Sequence, residues 1–312
     1  CLIYSALISP SLQTLLAVIV FLLFKADEAF SNVLYGVDQV HMRLDYVGKS
    51  QLVRGVLCVT LFSLGMILFD SLPASLLLMF AGCLAITIIY DVQKARLLSG
   101  SLAPSITREQ CTTLLRQCFP AALGILIGNF IMSSARQYFG VAYGESPLGI
   151  YASVATPCVI IQVLAQNLYN PMLGSIANEY KTGEVHKAQR SALKLLILVL
   201  GVALVLSAIL LFVGEPLLTA LYGESIKPYV GVLPLALVVT AGAAETILLS
   251  DLLIVFNGLK LTLAMNIIAF LANLALIVPC TAIWYMNGIN ISLIGAYSAA
   301  IVFGVASVLR AK

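Results

Sequence analysis

Charge is scarce in this chain: Asp, Glu, Lys and Arg make up only 10 % of 312 residues. A soluble domain of this length needs a charged shell, and too few charges exist to build one. Histidine is rarer still, with two copies, and tryptophan occurs once. His41 and His186 stand far apart in predicted loops, without metal-ligand spacing. The seven cysteines form no CxxC pair and lie mostly in apolar runs, so they read as small core hydrophobes. No P-loop, GxSxG, HExxH or Asp-rich metal pair is present, which argues against an enzyme and calls for no cofactor or metal. No basic stripe suggests nucleic acid.

What the chain has instead is hydrocarbon. Its apolar fraction is 61 % and its mean hydropathy +1.04. A bilayer-crossing helix needs about 20 mostly apolar residues. Such runs occupy about 11–35, 52–70, 72–91, 114–134, 148–171, 191–213, 229–256, 262–285 and 288–309. Residues 1–8 resemble the tail of a further span. The chain opens on Cys1 in an apolar run without a signal-peptide basic region, so a fragment lacking preceding helices is expected, ahead of a processed lipoprotein cysteine.

The basic residues orient these spans. If the chain alternates sides, one set of loops carries Arg43, Lys49, Arg54, Lys94, Arg96, Arg108, Arg116, Lys181, Lys187, Arg190, Lys194, Lys260, Arg310 and Lys312. The opposite set carries Arg136 and Lys227. The rich side is expected to be cytoplasmic, placing the C-terminus there.

The longest polar interval, 92–112, has linker composition, and Ser105, Arg108 and Glu109 before the next apolar run suggest a helix start. It divides the chain into a partial N-terminal lobe (1–91, three spans plus a stub), a cytoplasmic linker (92–112) and a C-terminal lobe of six spans (113–312). The expected fold class is all-α: a polytopic membrane bundle of two six-helix lobes around a central cavity, the N-terminal lobe incomplete. Repeated halves of this kind suit secondary transporters.

Polar residues inside spans are costly and therefore informative. Lys25, Glu28, Asn32, Tyr35 and Gln39 share one helix face. They suit a cavity wall, or an interfacial amphipathic segment if the helix ends at Phe24. Asn129, Ser133 and Arg136 align on another helix, where Arg136 can face inward or snorkel to the interface. Gln162, Gln166 and Asn170 repeat every four residues, suiting either interhelical hydrogen bonds or a substrate path. Glu245 and Asp251 are intramembrane or near-interface carboxylates, which makes them candidate proton or cation sites unless a neighbouring helix satisfies them. Asn266 and Asn273 share one face.

The stretches PAALGILIGNFIMSSARQYFG (120–140), SPLGIYASVATPCVIIQVLAQNLYNPMLGSIANEY (146–180) and NGLKLTLAMNIIAFLANLALIVPCTAIWYMNGINISLIGAYSAA (257–300) resemble the polysaccharide flippases of the multidrug/oligosaccharidyl-lipid/polysaccharide exporter superfamily. LYGVDQVHMRLDYVGKSQLVRG (34–55) is similar to their loop after the fourth helix. Arg136 matches the family's basic position, and Leu148, Gly149 and Tyr151 its Leu-Gly-x-Tyr segment; Ala135 replaces the preceding Asp.

The resemblance implies alternating-access movement of undecaprenyl-linked oligosaccharide across the bacterial inner (plasma) membrane, coupled to a proton or sodium ion. Membrane lipids and glycan polymerase machinery are the other implied partners. On this resemblance Arg136 and Lys25 become candidate substrate cations, with Asn129, Gln166 and Asn32 as further substrate-binding candidates. Glu28, Glu245 and Asp251 become candidate coupling carboxylates. A drug antiporter on the same fold is the alternative. A glycan polymerase or glycosyltransferase fits less well, because the loops are short, and a non-transporting scaffold subunit is a third possibility.

Overall fold

The computed structural model describes residues 12–41, 43–100 and 107–310. Every secondary-structure element among them is helical. The chain divides into two compact units, Cys1–Ile106 and Thr107–Lys312.

The first unit holds α1 (Leu12–Val40), α2 (Leu44–Phe69) and α3 (Leu72–Ser99). α1 runs unbroken past Phe24, so Lys25–Val40 is helical and not a separate interfacial segment. α2 and α3 form a tight hairpin. Asp70 takes the left-handed conformation (φ 44°), its N–H bonds Met66 O at 3.1 Å, and Pro73 lies in the first turn of α3. α3 widens into a π-turn over Thr87–Asp91 before regaining α geometry at Val92–Ser99.

The second unit holds α4 (Arg108–Tyr143), α5 (Glu145–Lys181), α6 (Val185–Tyr222), α7 (Glu224–Val255), α8 (Leu259–Trp284) and α9 (Met286–Leu309). α4 starts on a capping box: Thr107 Oγ1 accepts from Gln110 N at 3.3 Å, and Gln110 Oε1 from Thr107 N at 3.0 Å. Ser105, the expected start signal, lies outside the described residues. The interval read as linker is helical over 92–99 and again from Arg108. Pro157 imposes a 3-10 step at Thr156–Cys158 within α5.

Eight of these helices are long and apolar enough to cross a membrane. The ninth, α1, has its apolar run broken by Lys25, Asp27 and Glu28. Large apolar side chains point outward freely, Phe212 at 86 % exposure and Ile67 at 79 %. That pattern suits lipid and not water as the surrounding medium.

α7 is the central helix of the second unit. Its most apolar stretch is 72 % buried, against 17–39 % for the unit's other five helices. It packs against α5, α6, α8 and α9. α8 and α9 form the closest hairpin, turning at Tyr285 (φ 51°). There Gly288 abuts the Cys280 carbonyl and the Thr281 Cα so closely that no Cβ fits. Gly288→Ala is expected to lower stability by about 1–3 kcal/mol through overpacking. Thermal melting in detergent micelles measures this, and an unchanged midpoint would show that the hairpin can open without cost.

Candidate functional site

The second unit encloses a cavity of about 380 Å³. α4 contributes Asn129, Ser133 and Arg136, which one helical face brings together. α5 adds Gln162 and Gln166, while Asn170 on the same helix is exposed and outside the lining. Opposite them stand Thr246, Ser250 and Asp251 of α7, Asn266 of α8 and Tyr297 of α9. Apolar groups complete the wall, among them Met132, Ile131, Ile125 and Ile247.

Two charges of opposite sign share this wall without pairing. Arg136 is half-buried, its guanidinium 5.8 Å from the centroid of the Tyr151 ring. Tyr151 is itself held by donating to Asn290 Oδ1 at 2.8 Å. No ion pair among the described residues involves Arg136, and its buried Nε has no hydrogen-bond partner there. Asp251 accepts from the Tyr169 hydroxyl at 2.9 Å. Such a cavity presents one directed cation, one oriented carboxylate and several amide and hydroxyl groups, enough to hold a polar ligand by charge-assisted hydrogen bonds.

Neighbouring polar residues do structural work instead. Asn273 is buried and donates to Ile131 O and Ser134 Oγ, both at 3.2 Å, pinning α8 to α4. Asn266 donates to Thr262 O at 3.0 Å and Ser250 Oγ at 3.3 Å while facing the cavity. Glu245 is buried in α7, outside the cavity lining, and its Oε1 has no partner among the described residues.

The first unit contains a second polar centre. Arg54 of α2 is 8 % exposed and pairs with Asp27 of α1 through Nη2. Its Nη1 donates to Ser31 Oγ at 2.5 Å and Thr87 Oγ1 at 3.2 Å, and lies 3.8 Å from Asp91 Oδ2. Ser31 and Thr87 touch at 3.0 Å, and Tyr35 Oη meets Ser50 Oγ at 2.8 Å. Asp38 is also buried. Thr87 and Asp91 occupy the π-turn of α3, whose altered register aims both toward α1 and α2.

A cavity of about 280 Å³ borders this centre, lined by Glu28, Asn32 and Tyr35 of α1 and by Arg54 and Cys58 of α2. Lys25 is not part of that lining. It is exposed, pairs with Glu28 at 2.7 Å and rests 5.7 Å from the Phe21 and Phe24 rings. The stripe Lys25–Gln39 is therefore split: Glu28, Asn32 and Tyr35 face the cavity, Lys25 and Gln39 are exposed.

Arg54, counted among the loop cations by the charge pattern, is buried inside a helix bundle, and Asp27 and Asp91 are its counter-ions. Their pairing joins residues far apart in sequence, so no local pattern signals it. The one local sign is the run of three charges Lys25, Asp27 and Glu28, in which Asp27 stands off the face shared by Lys25 and Glu28.

No protein-family model matches the chain, and no curated protein matches it in sequence. Solved structures match by fold. A mutant of the Vibrio cholerae MATE transporter VcmN superposes with a TM-score of 0.72 at 17 % identity, over 93 % of this chain and 67 % of that one. A multidrug resistance MATE family transporter of the MOP superfamily, in an outward-facing conformation, gives 0.72 at 16 % identity, over 96 % and 71 %. A MATE protein in complex with MaL6 gives 0.72 at 16 %, over 95 % and 70 %. The chain therefore has the fold of the MATE transporters.

Proposed function

We propose that this protein is a multi-pass transporter of the bacterial inner membrane that flips lipid-linked oligosaccharide by alternating access, with its C-terminus cytoplasmic and a proton or sodium ion as coupling cation. The observation that carries the reading is Arg136, a cation lining a polar cavity of the second unit without an acidic partner among the described residues. A lipid diphosphate must shed water to cross hydrocarbon, and a directed guanidinium offsets that cost through bidentate hydrogen bonds. Asn129, Gln162 and Gln166 in the same wall supply donors and acceptors suited to sugar hydroxyls. Asn32 and Glu28, lining the cavity of the first unit, are the proposed substrate and cation contacts there. Lys25, paired and exposed, is the weakest of the substrate candidates.

The test is reconstitution of the full-length protein in proteoliposomes with a fluorescent undecaprenyl-diphosphate oligosaccharide. Movement of label between leaflets that depends on the protein is expected. Scrambling no faster than in empty vesicles would refute the flippase.

A drug antiporter is the second reading. It is favoured by Asp251 in the same cavity and by a fold shared with a multidrug resistance transporter. The transported molecule separates the two, since Asp251 is a coupling candidate in both. Cation-driven export of a lipophilic dye that Asp251→Asn abolishes, without movement of lipid-linked oligosaccharide, identifies an antiporter, whereas protein-dependent movement of the lipid without dye export identifies a flippase.

A further inference from the structure

We propose that Cys58 and Cys83 form a peroxide-sensitive dithiol whose oxidation ties α2 to α3 by a disulfide inside the first unit. The thiol sulfurs of the two residues stand 3.2 Å apart, one on each arm of the hairpin. Both are free thiols. A disulfide needs about 2.05 Å between sulfurs, so a small side-chain adjustment closes the bond, provided the backbones hold the residues face to face.

The hairpin supplies that register. Near its turn, a Cβ on Gly65 would lie 2.6 Å from the Ser75 Cα, so the two backbones touch there. About two helical turns further from the hairpin turn, Cys58 faces Cys83. One helical turn beyond, Arg54 Nη1 donates to Thr87 Oγ1 at 3.2 Å. The pairs descend the hairpin in step, which leaves the thiol pair little freedom to drift apart.

The two thiols differ in access, and the difference assigns their roles. Cys58 is half-buried and lines the 280 Å³ cavity beside Arg54, with ample room for a molecule the size of hydrogen peroxide. Cys83 is completely buried. Cys58 is the attacking residue and Cys83 the resolving one. The Cys58 sulfur displaces hydroxide from the peroxide O–O bond, forming a sulfenic acid; its proton and the hydroxide leave as water. The Cys83 sulfur then attacks the Cys58 sulfur, the S–O bond breaks, and the departing hydroxyl takes the Cys83 proton as a second water. Two thiols lose two electrons and two protons, and one peroxide becomes two waters.

The consequence lies one helical turn away. The link fixes the α2–α3 spacing at the level where Arg54 reaches Ser31, Thr87 and Asp27. Oxidation therefore acts on the buried ion cluster. The proposal does not depend on what the protein transports.

The experiment treats the reduced, detergent-solubilised protein with hydrogen peroxide, then denatures it, alkylates it and analyses peptides by mass spectrometry. A Cys58–Cys83 linked peptide lighter by two hydrogens, restored to two alkylated peptides by phosphine, is expected. In Cys83→Ser the reaction should stop at a Cys58 sulfenic acid that dimedone captures. In Cys58→Ser, Cys83 should stay unlabelled. Both variants are checked for monodisperse elution first; if either fails, Cys→Ala replaces it. Separate alkylation of both cysteines after peroxide overturns the proposal, as does a link through Cys111 or Cys118 in place of this pair. Dimedone capture at Cys83 in the absence of Cys58 overturns the assigned order.

Discussion

Arg54→Ala is expected to destabilise the first unit by about 3–5 kcal/mol, the range found when one partner of a buried ion pair is removed. The cause is what remains. Asp27 and Asp91 keep their burial, at 7 % and 1 % exposure, and lose the cation that lies between them. Ser31 and Thr87 lose a shared donor at the same time. A carboxylate stranded in low dielectric has no water to turn to, so the penalty is desolvation and not merely a lost hydrogen bond. Thermal melting in detergent micelles reads the loss. Arg54→Gln with Asp27→Asn and Asp91→Asn should recover much of it, because both stranded charges are gone while polar contacts remain. A lone Arg54→Ala variant that melts with the parent would mean that the acids are not charged and buried as described.

The second large effect concerns transport and not folding. Arg136→Ala is expected to lower movement of lipid-linked oligosaccharide about ten- to hundredfold, the worth of one charge-assisted hydrogen-bonded contact of roughly 1.5–3 kcal/mol. Stability should change little, since Arg136 has no ion-pair partner to strand and its cation–π contact with Tyr151 is long. Arg136→Lys should retain part of the activity: it restores the charge but lacks the planar two-pronged geometry that grips a diphosphate. Flipping in proteoliposomes, alongside melting of the same preparations, separates loss of function from loss of fold. Equal flipping by parent and Arg136→Ala would reduce this arginine to a side chain snorkelling toward the interface.

These two arginines show what a linear reading can and cannot reach. Arg136 was legible because its helix also carries Asn129 and Ser133 at helical spacing, a local pattern that survives folding. Gln162 and Gln166 followed for the same reason, and all five line one cavity. Arg54 was misread because a cation next to an apolar run looks identical whether it ends the helix or is buried in it. Its partners lie 27 and 37 positions away, on two other helices. Lys25 differs in the opposite way. Its membrane depth suggested a wet wall, yet the side chain bends back to Glu28 on its own helix. Asp251 and Glu245 looked equivalent in sequence, and only Asp251 reaches the cavity, since six positions of helix turn the two to different faces.

The succession of apolar runs, and with it an all-helical protein whose solvent is lipid, follows from composition and periodicity alone. Twenty apolar residues in hydrocarbon must satisfy their backbone internally, which leaves a helix as the outcome whatever surrounds it. Which polar side chains meet, which are neutralised and which stay available was settled by tertiary packing, because charge pairing depends on distance through space and the chain records distance along itself only. The π-turn at Thr87–Asp91 sets Thr87 and Asp91 beside Arg54, whereas Arg136 meets no carboxylate among the described residues.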